Sequence, residues 1–137
     1  MAKEESARFV VIGLGRFGSA LARRLAHHGH RVAGLDINEE AVKNLEDVLA
    51  EAIVADGADE EVLKAASIGD CKAVFISMGD HANRSTVATM YALEMGAPRI
   101  IVKGIDALHS KILHKLGKVE VIFPEEAMAR YVADHLV

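Results

Sequence analysis

The sequence predicts an α/β domain whose parallel sheet is doubly wound, with helices on both faces, and three observations carry that expectation. Six short apolar runs alternate with longer stretches whose apolar residues recur every three or four positions. The runs are continuous and rich in β-branched residues, as suits strands covered on both faces. The first run leads through Gly13, Gly15 and Gly18 directly into a helical pattern, in the stretch VVIGLGRFGSALARRL.

In chain order, strands are expected at residues 8–13, 30–36, 50–56, 71–77, 98–104 and 119–124. Between and after them, helices are expected at 16–28, 39–48, 59–66, 81–95, 107–116 and 125–136. Leu21 and Leu25 mark the apolar stripe of the first helix, and Val87, Met90 and Tyr91 that of the fourth. Gly29, Gly96 and Gly117 stand where helix C-terminal caps belong, while Asp36, Asp80 and Pro124 stand near helix starts. Strict strand–helix alternation with right-handed crossovers gives a six-stranded sheet of order 3-2-1-4-5-6. The whole of residues 1–137 reads as one domain, without linker, low-complexity segment or larger repeat. The chain closes inside a helical pattern, YVADHLV.

Composition narrows the function. Hydrophobic residues make up 51% and charged residues 26%, an ordinary balance for a soluble α/β domain. With 4% aromatic residues, no tryptophan and a net charge of −4, the chain lacks both the stacking rings and the basic footprint of a nucleic-acid binder. The single cysteine, Cys71, has no intrachain partner, so disulfides do not hold the fold and a reducing cytoplasm is compatible. No apolar stretch reaches the roughly 18 residues of a membrane span. The polar start, residues 1–8, lacks the apolar centre of a signal peptide.

Gly13, Gly15 and Gly18 form G-x-G-x-x-G between a strand and a helix, the Rossmann-like context in which the motif carries meaning. Gly13 permits the tight turn, Gly15 lets the backbone approach a pyrophosphate, and Gly18 lets helix and strand pack closely. The helix N-terminus then faces the anion. Asp36 closes the second strand at the spacing of a ribose-binding acid, which favours NAD/NADH or ATP/ADP and disfavours the 2′-phosphate of NADP. Arg16 projects from the phosphate loop itself. A cation at a helix N-terminus is unfavourable unless an anion offsets it, so Arg16 suits additional phosphate charge.

These residues resemble those of the RCK domains, also called KTN or TrkA-N domains, the cytosolic nucleotide-binding regulators of potassium channels and of the Ktr and Trk transporters. The resemblance rests on VIGLGRFGSALARRL, VAGLDIN, VADGADEEVLKAASI, VFISMGDHANRSTVATMYALEMGAPRIIVK and VEVIFPEEAMARYVA, in that order. It implies that Gly13, Gly15, Arg16, Phe17 and Gly18 hold phosphates and that Asp36 binds ribose. Asp56 and Gly57 would meet the adenine edge, with Ile37 and Ala58 near its faces. Ser77 and Met78 would line the crevice, with Asp80, Asn83 and Lys103 towards the phosphate or distal end. Glu125 would lie near a subunit interface, facing a cation or a neighbouring arginine.

The resemblance further implies pairing through the fourth and fifth helices, which carry Val87, Met90, Tyr91, Ile112, Leu113 and Leu116, and closure into an octameric ring. The partner would be a membrane potassium-transporter or channel subunit, met at the inner face of the cell membrane without insertion. Chains of this family continue into a smaller C-terminal domain, and no such domain is read here.

No metal site is read. His27, His28 and His30 sit at a helix end where they suit carbonyl capping. His81, His109, His114 and His135 lack paired ligand spacing. No poised acid or base with a substrate domain is visible, so the expectation is a regulatory module and not an enzyme. Two other classes stay open from sequence: an NAD-dependent oxidoreductase fragment, and a dinucleotide-sensing module of another system.

Overall fold

A computed structural model describes residues 6–137. Residues 1–5, most of the polar start noted above, lie outside the described residues. The elements run β1 (Arg8–Ile12), α1 (Arg16–His27), β2 (Arg31–Asp36), α2 (Glu39–Lys43), β3 (Glu51–Val54), α3 (Glu60–Ala65), β4 (Ala73–Ile76), α4 (Ala82–Glu94), β5 (Ile100–Lys103), α5 (Ala107–Leu116), β6 (Glu120–Ile122) and α6 (Pro124–Leu136). A single turn of 3-10 helix, Ile68–Asp70, precedes β4. All six strands are parallel, in the expected order β3-β2-β1-β4-β5-β6.

The apolar runs are continuous because side chains alternate between two cores. From β1, Val10 and Ile12 enter one core with Leu63, Ile68, Ile76, Ala88 and Leu113, beneath α3, α4 and α5. Val11 points the other way, to Leu14, Ala22, Val42, Leu45 and Phe75 beneath α1 and α2. Either face of the strand is thus removed from water, so polar alternation would be costly. Cys71 is buried in the first core, and burial pushes its thiol up.

Register places the functional end. Ile12 lies level with Leu35 on one side and Ile76 on the other, so β1, β2 and β4 end together. Gly13 donates its N–H to Leu35 O at 2.8 Å, and Ser77 donates to Ile12 O at 2.8 Å. Gly13 has φ +95°, and a Cβ there would collide with the Ser77 carbonyl. Only glycine meets both demands.

One local expectation needs correction. The second helix, expected over 39–48, ends at Lys43. Beyond Asn44 the backbone bonds tighten from four-residue to three-residue spacing, as in Leu45 N to Val42 O at 3.0 Å. Those turns still bury Leu45 and Leu49. Gly117 caps α5 as expected, in an extended conformation with φ 166°. It sits against Leu93, whose Cδ2 would be 2.9 Å from an added Cβ. Asp36 lies near the start of α2 as expected, two residues before its cap Asn38, whose side chain accepts from Glu40 N and Ala41 N.

Candidate functional site

A crevice of about 1600 Å³ opens beyond the carboxyl ends of the strands, at the switch between β1 and β4. This is where open α/β sheets take ligands. Twelve of the sequence-expected site residues line it: Gly13, Gly15, Arg16, Phe17, Asp36, Ile37, Gly57, Ser77, Met78, Asp80, Lys103 and Glu125.

The β1–α1 loop forms its floor. A Cβ on Gly18 would collide with the Gly13 carbonyl, so Gly18 sets the approach of α1 to β1 without lining the crevice. Gly15, by contrast, has φ −71° and open space where a Cβ would stand. A phosphate has room at that point, beside the unpaired first N–H groups of α1. No acidic residue stands in the first turn of α1, whereas the first turns of α2, α3 and α6 each hold two glutamates.

Asp36 accepts from Leu14 N at 2.8 Å through Oδ2 and from Asn38 N at 2.8 Å through Oδ1. These bonds fix the carboxylate between β1 and β2 and leave each oxygen a further lone pair for ribose hydroxyls. Ile37 beside it is 62% exposed, an apolar side chain presented to the crevice.

Asp56, Ala58 and Asn83 do not line the crevice. Asp56 Oδ1 accepts from Ala58 N at 2.9 Å and from Arg84 Nη2. Asn83 is exposed on α4, and its neighbour Arg84 faces the crevice instead. Sequence reasoning missed Arg84, although a signal existed. The first turn of α4 holds no acid, so a cation there invites the same question as Arg16.

Lys103 Nζ lies 3.2 Å from Glu125 Oε1, tying the end of β5 to the start of α6. The hydrogen bond from its own backbone N–H, and then the bond from Lys103, hold the Glu125 carboxyl below the usual carboxylate range. Among the described residues, Arg84 and Lys103 thus have carboxylate partners and Arg16 has none. Met128, Ala129, Val132, Ala133 and Leu136 of α6 complete the wall facing Phe17 and Ala20. Their spacing of four, at 128, 132 and 136, was a readable stripe. Among the described residues, no group of three or more His, Cys, Asp or Glu side chains is placed to hold a metal ion.

A second surface concerns α4 and α5. Leu113 is core, while Leu108, Ile112 and Leu116 are 66%, 42% and 41% exposed along one face of α5. Tyr91 is partly buried against the core and Val87 and Met90 are half-buried on α4. Among the described residues no helix is long and apolar enough to cross a membrane.

Residues 9–124 match the family model of the TrkA-N domain. The chain is 38% identical over 126 residues to Ktr system potassium uptake protein A of Vibrio alginolyticus, covering 92% of this chain and 57% of that protein. It spans 57% to 61% of the length of the Ktr proteins it matches. The crystal structure of the TrkA-N domain of inner membrane protein ybaL from Escherichia coli superposes with a TM-score of 0.84 at 18% identity, over 98% of this chain and 99% of that one. The GsuK channel bound to NAD superposes with a TM-score of 0.78 at 15% identity, over 96% of this chain and 24% of that one.

Proposed function

The chain belongs to the TrkA-N family, and from that premise we propose that it is the nucleotide-binding unit of a regulator of potassium uptake, switched by adenine nucleotides. The observation that carries this reading is the pairing of an open phosphate cradle at Gly15 with Arg16, the crevice arginine that has no carboxylate partner among the described residues. ATP/ADP or NAD/NADH would place the pyrophosphate on Gly13, Gly15 and the start of α1, with ribose on Asp36. Ile37, Asp56, Gly57 and Ala58 would hold the adenine end. Ser77, Met78, Asp80, Asn83 and Lys103 would surround the distal end, with Glu125 beside Lys103.

The output is a change of arrangement and not a reaction. A ligand shifts a conformational equilibrium only by its difference in affinity between the states. Ligands of different phosphate charge at Arg16 supply such a difference. The apolar face of α5 at Leu108, Ile112 and Leu116 suits pairing with a second copy, and a ring of four such pairs would make the octamer. The membrane partner is a potassium-transporter subunit, met from the cytoplasmic side. Residues 1–137 act as a single domain in this reading.

Competitive binding of ATP, ADP, NAD and NADH to this chain and to Arg16→Ala tests it. Arg16→Ala is expected to weaken ATP about tenfold and NAD much less, the loss of one charge-assisted contact to a terminal phosphate. Equal weakening of ATP and NAD overturns the role given to Arg16. Absence of binding by all four overturns the function.

A further inference from the structure

Arg84 is the third residue of α4, in a first turn that holds no acid and whose preceding residue, His81, makes no side-chain cap. Its charge opposes the positive end of the helix dipole, and a local anion offsets that cost. Asp56 is that anion. Asp56 follows β3 and Arg84 follows β4, with β2 and β1 between their strands. Among the described residues this is the only salt bridge joining the two halves of the sheet.

The pairing leaves hydrogen-bonding capacity on both sides. The two donors that reach Asp56, Ala58 N–H and Arg84 Nη2, fall on Oδ1, so Oδ2 remains an acceptor. The guanidinium has five N–H groups in a fixed plane and uses one here. Arg84 lines the crevice, as do Gly57 and Met78. The crevice is therefore offered the free donors of a guanidinium that Asp56 holds from behind.

We propose that Arg84 selects the base of the bound nucleotide, its guanidinium held by Asp56 so that a free N–H donates to an unprotonated ring nitrogen. N1 of adenine is such an acceptor. In a 6-oxo purine N1 carries a hydrogen, so donor would face donor and both groups would be left unsatisfied. The inference rests on the adenine-nucleotide reading above and adds a residue to it. Its chemistry is separable from that of Arg16, because Arg84 addresses the base and Arg16 the phosphates.

The test is competitive binding of ATP against inosine triphosphate, and of AMP, ADP and ATP, to this chain, to Arg84→Ala and to Arg84→Gln, with melting temperatures recorded for each. The wild-type chain is expected to prefer ATP over inosine triphosphate by about tenfold, the scale of one or two matched hydrogen bonds at a half-exposed site. Arg84→Ala should lose most of that preference, and Arg84→Gln, whose amide still donates, should keep part of it. Equal weakening of ATP and inosine triphosphate overturns the inference and leaves Arg84 a structural strap. A loss that grows from AMP to ATP overturns it in favour of a phosphate contact. If the wild-type chain binds no adenine nucleotide, the functional reading fails first and this inference with it.

Discussion

The two helices that face each other across the crevice are held in opposite ways. α1 buries Gly18 and Ala22, and Gly13 before it and Gly18 within it leave no room for a Cβ against backbone carbonyls. α6 buries no residue, and Met128, Val132 and Leu136 are 60%, 46% and 81% exposed. One wall is fixed by the sheet it grows from. The other is anchored at its first turn, by Pro124 and by the Lys103–Glu125 pair. A site built this way can bind phosphate with a preorganised wall while the opposite wall stays free to change its contacts, which is what a ligand-driven switch requires.

The largest effect should come from the fixed wall. Gly13→Val forces a β-branched residue to φ +95° and into the Ser77 carbonyl, so a loss of roughly 3 kcal/mol or more, or failure to fold, is expected in urea denaturation. Gly15→Ala sharpens the contrast within the same motif. Its φ of −71° suits alanine and its Cβ meets nothing, so stability should change by less than about 1 kcal/mol. Phosphate-ligand affinity should nevertheless fall about tenfold, because the methyl group fills the space the anion needs. If both variants are equally unstable, the division of labour between the glycines is wrong.

That contrast also shows what the sequence could reveal. The glycine roles follow from local rules, since a strand, a tight turn and a helix start occupy neighbouring positions. The six strands and their order were legible for a related reason: two-sided burial leaves an unbroken apolar run, and crossover handedness then restricts the topology. The acid-free first turn of α4 marked the charge of Arg84, but its pairing was not legible, because Asp56 is 28 positions away and only the assembled sheet brings them together. The stripe on α6 was visible, but no local rule says that an amphipathic helix will overhang a crevice and bury nothing. The early end of α2 escaped notice because the tightened turns after Asn44 keep the helical burial of Leu45 and Leu49.

An intermediate effect is expected at the loop that follows Lys103. Ile105 donates its N–H to His109 Nδ1 at 3.1 Å, which holds the loop between Lys103 and α5. His109 is buried, its Nε2 has no partner, and burial lowers its pKa below 6.5 against the opposing pull of Asp106. The folded state therefore favours the neutral ring, and the unfolded state binds the proton more readily. Stability is fully present above pH 6.5 and falls as the pH drops below it, towards the lower folded-state value. His109→Asn supplies an acceptor near the Nδ1 position and cannot titrate. Denaturation curves collected downward from pH 7 should show a steeper decline for the wild type than for His109→Asn, and parallel curves would break the link.

The smallest effect belongs to the free wall. Val132 lies in the middle of the crevice-facing stripe of α6 and is 46% exposed. Truncation at such a position removes little buried area and leaves no enclosed cavity, so Val132→Ala should change unfolding stability by no more than about 0.5 kcal/mol. The comparable truncation Val11→Ala, fully buried in the core beneath α1, should cost about 2 kcal/mol or more. The ratio is more informative than either number, since both substitutions remove the same atoms and differ only in what surrounds them. If Val132→Ala costs as much as Val11→Ala at low protein concentration, α6 is packed within the single chain and the two walls are alike. If its cost appears only as the protein concentration rises, a second copy covers the stripe, and the wall that the sheet leaves free is the one that assembly holds.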